Sequence, residues 1–142
     1  MAAGVIVDAN VLPDILTADP QWLAWSSAEL RRAKASGQIL VNPIICAEIA
    51  PAFDFDWPRI DAWVAQAGMV QEPLPFEAST VAAAAHRKYR DRGGSRERPL
   101  PDFFIGAHAE VAACALLTRD AARYRTYFPK VQLICPASAD RP

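Results

Sequence analysis

The stretch that decides the fold is Gly4-Val5-Ile6-Val7-Asp8-Ala9-Asn10-Val11-Leu12. Gly4 to Val7 is a short apolar, partly β-branched run without polar alternation, the pattern of a strand buried on both faces of a parallel sheet. It stops abruptly at Asp8. Runs of the same kind follow at Ile39 to Val41, Met69 to Gln71, Ala115 to Leu117 and Val131 to Ile134, each bounded by polar residues, Gly or Pro. Between them lie segments of helical period. Asp19-Pro20 and Asn42-Pro43 read as helix starts, with a carboxylate or amide cap before a proline. The first of these helices runs to Gly37 and the second ends at Pro51. Ile60, Trp63, Val64 and Ala67 recur at spacings of three and four within a helix from Asp56 to Ala67, and Ala78, Val81, Ala82, Ala85 and Tyr89 do so within one from about Pro75 to Arg92. Another helix opens at Asp102 and reaches about Ala113, and a short one follows Asp120. Strands alternating with helices predict right-handed crossovers and a three-layer α/β sandwich with a central parallel five-stranded sheet.

The 142 residues carry 15 Lys+Arg against 16 Asp+Glu, and 52% are hydrophobic. That balance describes a single globular domain spanning 1–142 and excludes a protein whose overall basicity draws it to nucleic acid. Cys46, Cys114 and Cys135 are an odd number without CxxC spacing, so they predict buried thiols in a reducing, cytoplasmic setting rather than disulfides or a zinc site. The N-terminus lacks the basic region of a secretory signal, and no run is long and uncharged enough to span a membrane.

Four carboxylates occupy conspicuous places. Asp8 ends the first strand, the edge at which ligands bind in open α/β sheets, although a turn or helix cap also accounts for it. Glu48 lies four residues after Ile44 and three after Ile45, which predicts that it shares their inward face, where an unpaired carboxylate is costly, although a helix-edge Glu that escapes to solvent also accounts for it. Asp102 and Asp120 both stand where a helix N-cap can stand, and capping accounts for either one alone. In a sheet of order 3-2-1-4-5 the first and fourth strands are neighbours, so Asp8 and Asp120 flank the switch-point crevice together.

Carboxylates converging there repel each other unless a cation neutralises them. Oxygen donors without His or Cys select Mg²⁺ or Mn²⁺. Such ions take phosphate oxygens as further ligands, and the chemistry that fits is phosphodiester hydrolysis by a metal-activated water.

At this point the motifs VIVDANVL, PIICAEIA, LPDFFIGAHA and LLTRDAARY, in this order and spacing, resemble the four acidic motifs of PIN-domain nucleases. The size and the terminal VQLICP strand are similar to the VapC-type toxins of bacterial toxin-antitoxin modules. The resemblance implies a metal-dependent endoribonuclease whose catalytic, metal-holding quartet falls on Asp8, Glu48, Asp102 and Asp120, with Asp8 and Asp102 as the first direct contacts. It implies that Asn10 and Thr118 orient those ligands from behind. It also implies cleavage of RNA, such as tRNA or rRNA, inhibition by a small antitoxin, a homodimer, and promoter DNA bound only through the antitoxin. Ala9 departs from the Thr that is frequent in the family.

From His86 to Arg98 six basic residues stand against two acids, a net +4. Such a run is commonly a solvated face, but beside Asp102 it is placed to hold RNA phosphates, with Arg92, Arg96, Arg98 and Arg119 as the expected contacts. Trp22 and Trp25, three apart on one helix, predict an exposed stripe for an antitoxin helix. Two rivals are a haloacid-dehalogenase-like phosphatase and a catalytically silent PIN-like binding module. The first requires an acid two residues after the first Asp, where this chain has Asn10, and the second is expected to lack one of the four acids, all of which are present.

Overall fold

In the computed structural model, which describes residues 4–94 and 99–137, five parallel strands stand in the order β3-β2-β1-β4-β5. They are β1 (Val5–Val7), β2 (Ile39–Val41), β3 (Met69–Gln71), β4 (Ala115–Leu117) and β5 (Leu133–Ile134). Seven helices connect and flank them: α1 (Leu12–Leu16), α2 (Leu23–Ser36), α3 (Pro43–Ile49), α4 (Trp57–Gln66), α5 (Ala78–Asp91), α6 (Leu100–Ala112) and α7 (Ala121–Arg125). The architecture is the expected three-layer α/β sandwich with the expected strand order. β1 and β2 are buried along their whole length, as apolar runs without alternation require. β3 is an edge strand, and only Met69 of its three residues is buried.

Local chemistry sets the helix ends. Asn42 caps α3 through its side-chain oxygen, which accepts from the Ile45 amide at 2.9 Å, and Pro43 supplies the first helical φ. Asp19 does not open α2. Its Oδ1 accepts from the amides of Gln21 and Trp22 at 2.8 and 3.0 Å, closing a turn that delays the helix to Leu23. α6 begins at Leu100 with Pro101 in its first turn, so Asp102 lies inside the helix and is not its cap.

Aromatic rings fill the contact between α5, α6 and the segment after α7. Phe103 on α6 stands 5.5 Å from Tyr89 and 6.1 Å from Phe128, ring centre to ring centre, in tilted contacts. Gly106 lets Phe128 close on α6, because an added Cβ would lie 2.5 Å from two ring carbons. Cys46 and Cys114 are buried free thiols, while Cys135 is only half-buried.

Candidate metal centre and nucleic-acid interface

The pairing of β1 with β4 builds the site. Val7 stands opposite Leu117, and the Asp8 amide donates to the Leu117 carbonyl at 2.8 Å, so the residues after both strands meet at the C-terminal edge of the sheet. Asp8 is 1% exposed. Its Oδ2 accepts from the Thr118 hydroxyl and from the Tyr124 hydroxyl, both at 2.8 Å. Thr118 Oγ1 in turn accepts from the Asp120 amide at 3.0 Å and from Asn10 Nδ2 at 3.2 Å. That hydroxyl has one donor and two acceptor positions, and all are used. Burial pushes the Asp8 carboxyl above the usual carboxylate range, and the Tyr124 and Thr118 hydroxyls and the Arg123 charge oppose that rise. The same burial, with the Asp8 charge and hydrogen bond, drives the Tyr124 phenol well up, which keeps it a donor.

Asp120 caps α7. Its Oδ1 accepts from the Arg123 amide at 3.2 Å, and its Oδ2 lies 3.3 Å from Arg123 Nε. Capping therefore explains Asp120 in part, whereas it explains neither Asp8, whose carboxylate is bound by hydroxyls from the far end of the chain, nor Asp102.

Glu48 was expected to point inward and does not: it is exposed, because α3 buries Ile45, Cys46 and Ile49 and leaves Glu48 flanking that stripe. Its carboxyl nevertheless responds to the cluster. Partial desolvation first, then repulsion from Asp102 and from Asp8, pushes it up to about 7, against the pull of Arg123. Glu48, Asp102 and Asp8 thus face one region. Among the described residues neither Glu48 nor Asp102 has a side-chain hydrogen bond or ion pair.

The donor set suits a hard divalent cation: oxygen ligands only, with the charges of Asp102 and Asp8 raising the proton affinity of Glu48. Among the described residues no three His, Cys, Asp or Glu side chains are arranged as a ready-made chelate. Mg²⁺ needs none, since it keeps several waters and is held by one or two carboxylates plus substrate phosphate.

The basic residues divide differently from expectation. Arg119 was expected to meet RNA, but its Nε lies 2.9 Å from the buried Asp14, and its guanidinium donates to the Asn10 carbonyl and stacks 4.9 Å from the Trp22 ring centre. It is a clasp between α1 and the loop after β4. The expected exposed stripe is only partly exposed: Trp22 and Trp25 pack edge to face at 5.9 Å and both are half-buried. Arg92 is exposed, with its guanidinium 5.8 Å from the Tyr127 ring centre. Arg96 and Arg98 lie outside the described residues. Neither Arg123 nor Tyr124 stood out along the chain; a guanidinium three residues and a hydroxyl four residues after Asp120 were the available signal.

A second feature lies at the ends of β2 and β3. An apolar groove of about 570 Å³ runs between Asn42, Cys46, Ala50, Phe55, Trp57 and Pro73. Beneath it Asn42 Nδ2 donates to Nδ1 of the fully buried His108, which ties the cap of α3 to α6. Burial lowers the His108 pKa and keeps the ring neutral.

Comparisons with known proteins agree with this geometry. The PIN domain family model matches residues 5–129. The fold is similar to that of VapBC2 from Rickettsia felis bound to a promoter DNA fragment, with a TM-score of 0.74 and 12% identity over 95% of this chain and 100% of the other. It is also similar to DNA-bound VapBC from Salmonella typhimurium, with a TM-score of 0.68 and 14% identity over 95% and 98% of the two chains. FitAcB from Neisseria gonorrhoeae has a TM-score of 0.64 and 18% identity over 92% and 96%. Among curated proteins, no sequence match is found. No helix of the described residues is long and apolar enough to cross a membrane. With four acids in motif order, a switch-point cleft and a family match over most of its length, the chain belongs to the PIN domain family, whose members are generally nucleases.

Proposed function

We propose that the chain, as a single PIN domain over residues 1–142, is a Mg²⁺- or Mn²⁺-dependent endoribonuclease and the toxin of a toxin-antitoxin module, acting in the cytoplasm. The observation that carries this reading is the buried Asp8 carboxylate, held by the Thr118 and Tyr124 hydroxyls at the C-terminal edge of the sheet, with Glu48 raised to about 7 by partial desolvation and by the charges of Asp102 and Asp8. Asp8 and Asp102 are the proposed direct ligands, and Glu48 and Asp120 complete the set directly or through water. A divalent ion bound there supplies the Lewis acidity that activates a water and stabilises charge on phosphorus. Thr118 and Tyr124 fix the Asp8 carboxylate in one orientation, and Asn10 fixes Thr118. Arg92, Arg96 and Arg98 are the proposed contacts to RNA phosphates, such as those of tRNA or rRNA.

An antitoxin partner, a homodimer, and promoter DNA reached only through the antitoxin belong to the same proposal, supported by the likeness to VapBC assemblies. A haloacid-dehalogenase-like phosphatase needs a carboxyl where Asn10 stands, and Asn10 is engaged by Thr118 and by the Arg119 amide. A silent module is disfavoured because all four acids are present.

Incubating RNA and a phosphatase substrate with the protein, with Mn²⁺ or with chelator, tests the reading. The expected result is chelator-sensitive RNA cleavage and no phosphatase activity. Asp8→Asn is expected to reduce cleavage at least roughly a hundredfold, since the ion contributes several kcal/mol to the transition state. Full activity of a folded Asp8→Asn protein overturns it.

A further inference from the structure

Arg123 is the residue of the cleft for which the reading above has no role. It is the third residue of α7, and its backbone amide serves the Asp120 cap. Its Nε is buried and makes no hydrogen bond, although Asp120 Oδ2 lies 3.3 Å away. The next residue, Tyr124, places its hydroxyl 2.8 Å from Asp8 and interacts with the Arg123 side chain. A buried unpaired donor is costly, so something must compensate. The compensation is the charge of the cleft. Arg123 lowers the carboxyls of Asp8 and Glu48, and Asp102, Asp8 and Asp120 strengthen the guanidinium in return. Of the four acids, Asp120 lies against its guanidinium, and Asp8 is bound by the neighbouring Tyr124. Arginine cannot neutralise itself by losing a proton. A cation with an unpaired donor, set beside Asp120 and the Tyr124 that binds Asp8, is placed to be exchanged for another cation.

We propose that Arg123 is the internal counter-ion of the acidic cluster: it holds the acids together while no metal ion is bound, and turns to a substrate phosphate when one is. This rests on the metal-dependent nuclease reading. Arg123 then has two positions, one toward Asp120 and Asp8, the other toward the phosphodiester, where a guanidinium pairs with phosphate oxygens through its fork of N–H groups. The role differs from that of Arg119, whose donors are tied to Asp14 and Asn10.

The test is Mn²⁺ titration by calorimetry and RNA cleavage on the full chain, comparing the parent with Arg123→Met and Arg123→Lys. Removing a competing positive charge at this range is expected to tighten Mn²⁺ binding by about tenfold in Arg123→Met. Loss of the phosphate contact is expected to slow cleavage by roughly a hundredfold or more in the same variant. Arg123→Lys falls between on both measures. Affinity rising while turnover falls is a signature that simple structural damage, which lowers both, does not produce. Unchanged or weaker Mn²⁺ affinity in the folded variants overturns the proposal.

A second measurement needs no metal. In chelator, Arg123→Met is expected to lower the melting temperature, and adding Asp102→Asn to it is expected to restore part of the loss by removing one repelling charge. Absence of any recovery overturns the counter-ion role. A parent protein that binds no Mn²⁺ overturns instead the metal-dependent reading and the exchange, and the chelator measurement then decides the counter-ion role alone.

Discussion

The four acids proposed as metal ligands fall into two halves that are built in opposite ways. Asp8 and Asp120, at the ends of β1 and β4, are held: the first by two hydroxyls, the second by a helix cap and an arginine. Glu48 and Asp102, on α3 and α6, have no side-chain partner among the described residues. The held half is joined to the fold by hydrogen bonds, so changes there act on stability. The free half is joined to it only through charge, so changes there act on what the cleft can bind. A rigid floor with adjustable walls suits a cation that keeps its own waters and accepts ligands from a substrate.

The sharpest break of this comparison is Thr118→Val, which keeps the shape and removes the hydroxyl shared by Asp8, Asp120 and Asn10. Several buried groups lose a partner at once, and a loss of about 2–3 kcal/mol in denaturant unfolding is expected. A change under about 0.5 kcal/mol, the range of an ordinary surface substitution, contradicts the held half. Tyr124→Phe removes one of two donors to Asp8 and is expected to lose about 1–2 kcal/mol, measured the same way. Loss of that donor also pushes the Asp8 carboxyl further up, since the Tyr124 hydroxyl opposes its rise.

The free half is sharpened by pH. Glu48 takes up its proton near 7 in the folded chain and at its ordinary 4.5 when unfolded. Below 4.5 both states are protonated and above 7 both are ionised, so the penalty for the charged folded form grows as pH rises through that window. In chelator the melting temperature is therefore expected to fall between about pH 4.5 and 7, and Glu48→Gln is expected to flatten that slope. An identical slope in the variant contradicts the coupling. The smallest effect belongs to Asp102→Asn. Relief of repulsion offsets the lost charge in the first turn of α6, and the stability change is expected to stay within about 0.5 kcal/mol.

Much of this was legible along the chain because buried parallel strands leave an unambiguous mark. Ile39–Val41, Met69–Gln71 and Ala115–Leu117 are strands with the bounds their apolar runs predict. Alternation with helices pointed to a parallel α/β sheet, and the doubly wound order expected for it is the one that brings Asp8 and Asp120 together. What was not legible depends on contacts across the chain. Tyr124 matters because it reaches Asp8 from 116 residues away. Arg119 reads as one more basic residue until Asp14 and Trp22 take its guanidinium. Glu48 misled because a helical face computed from two isoleucines is wide, and its edge is open to solvent. The start of α2 misled because Asp19 caps a turn as readily as a helix.

The central claim is that Asp8 and Asp120 after β1 and β4, with Glu48 on α3 and Asp102 on α6, form one divalent-cation site. Calorimetric titration of Mn²⁺ into the protein and into Asp8→Asn, Glu48→Gln, Asp102→Asn and Asp120→Asn tests it most directly. The account predicts saturable binding by the parent and weaker binding by each folded variant, with Asp8→Asn and Asp102→Asn weakened most. Parent-like affinity in all four contradicts it.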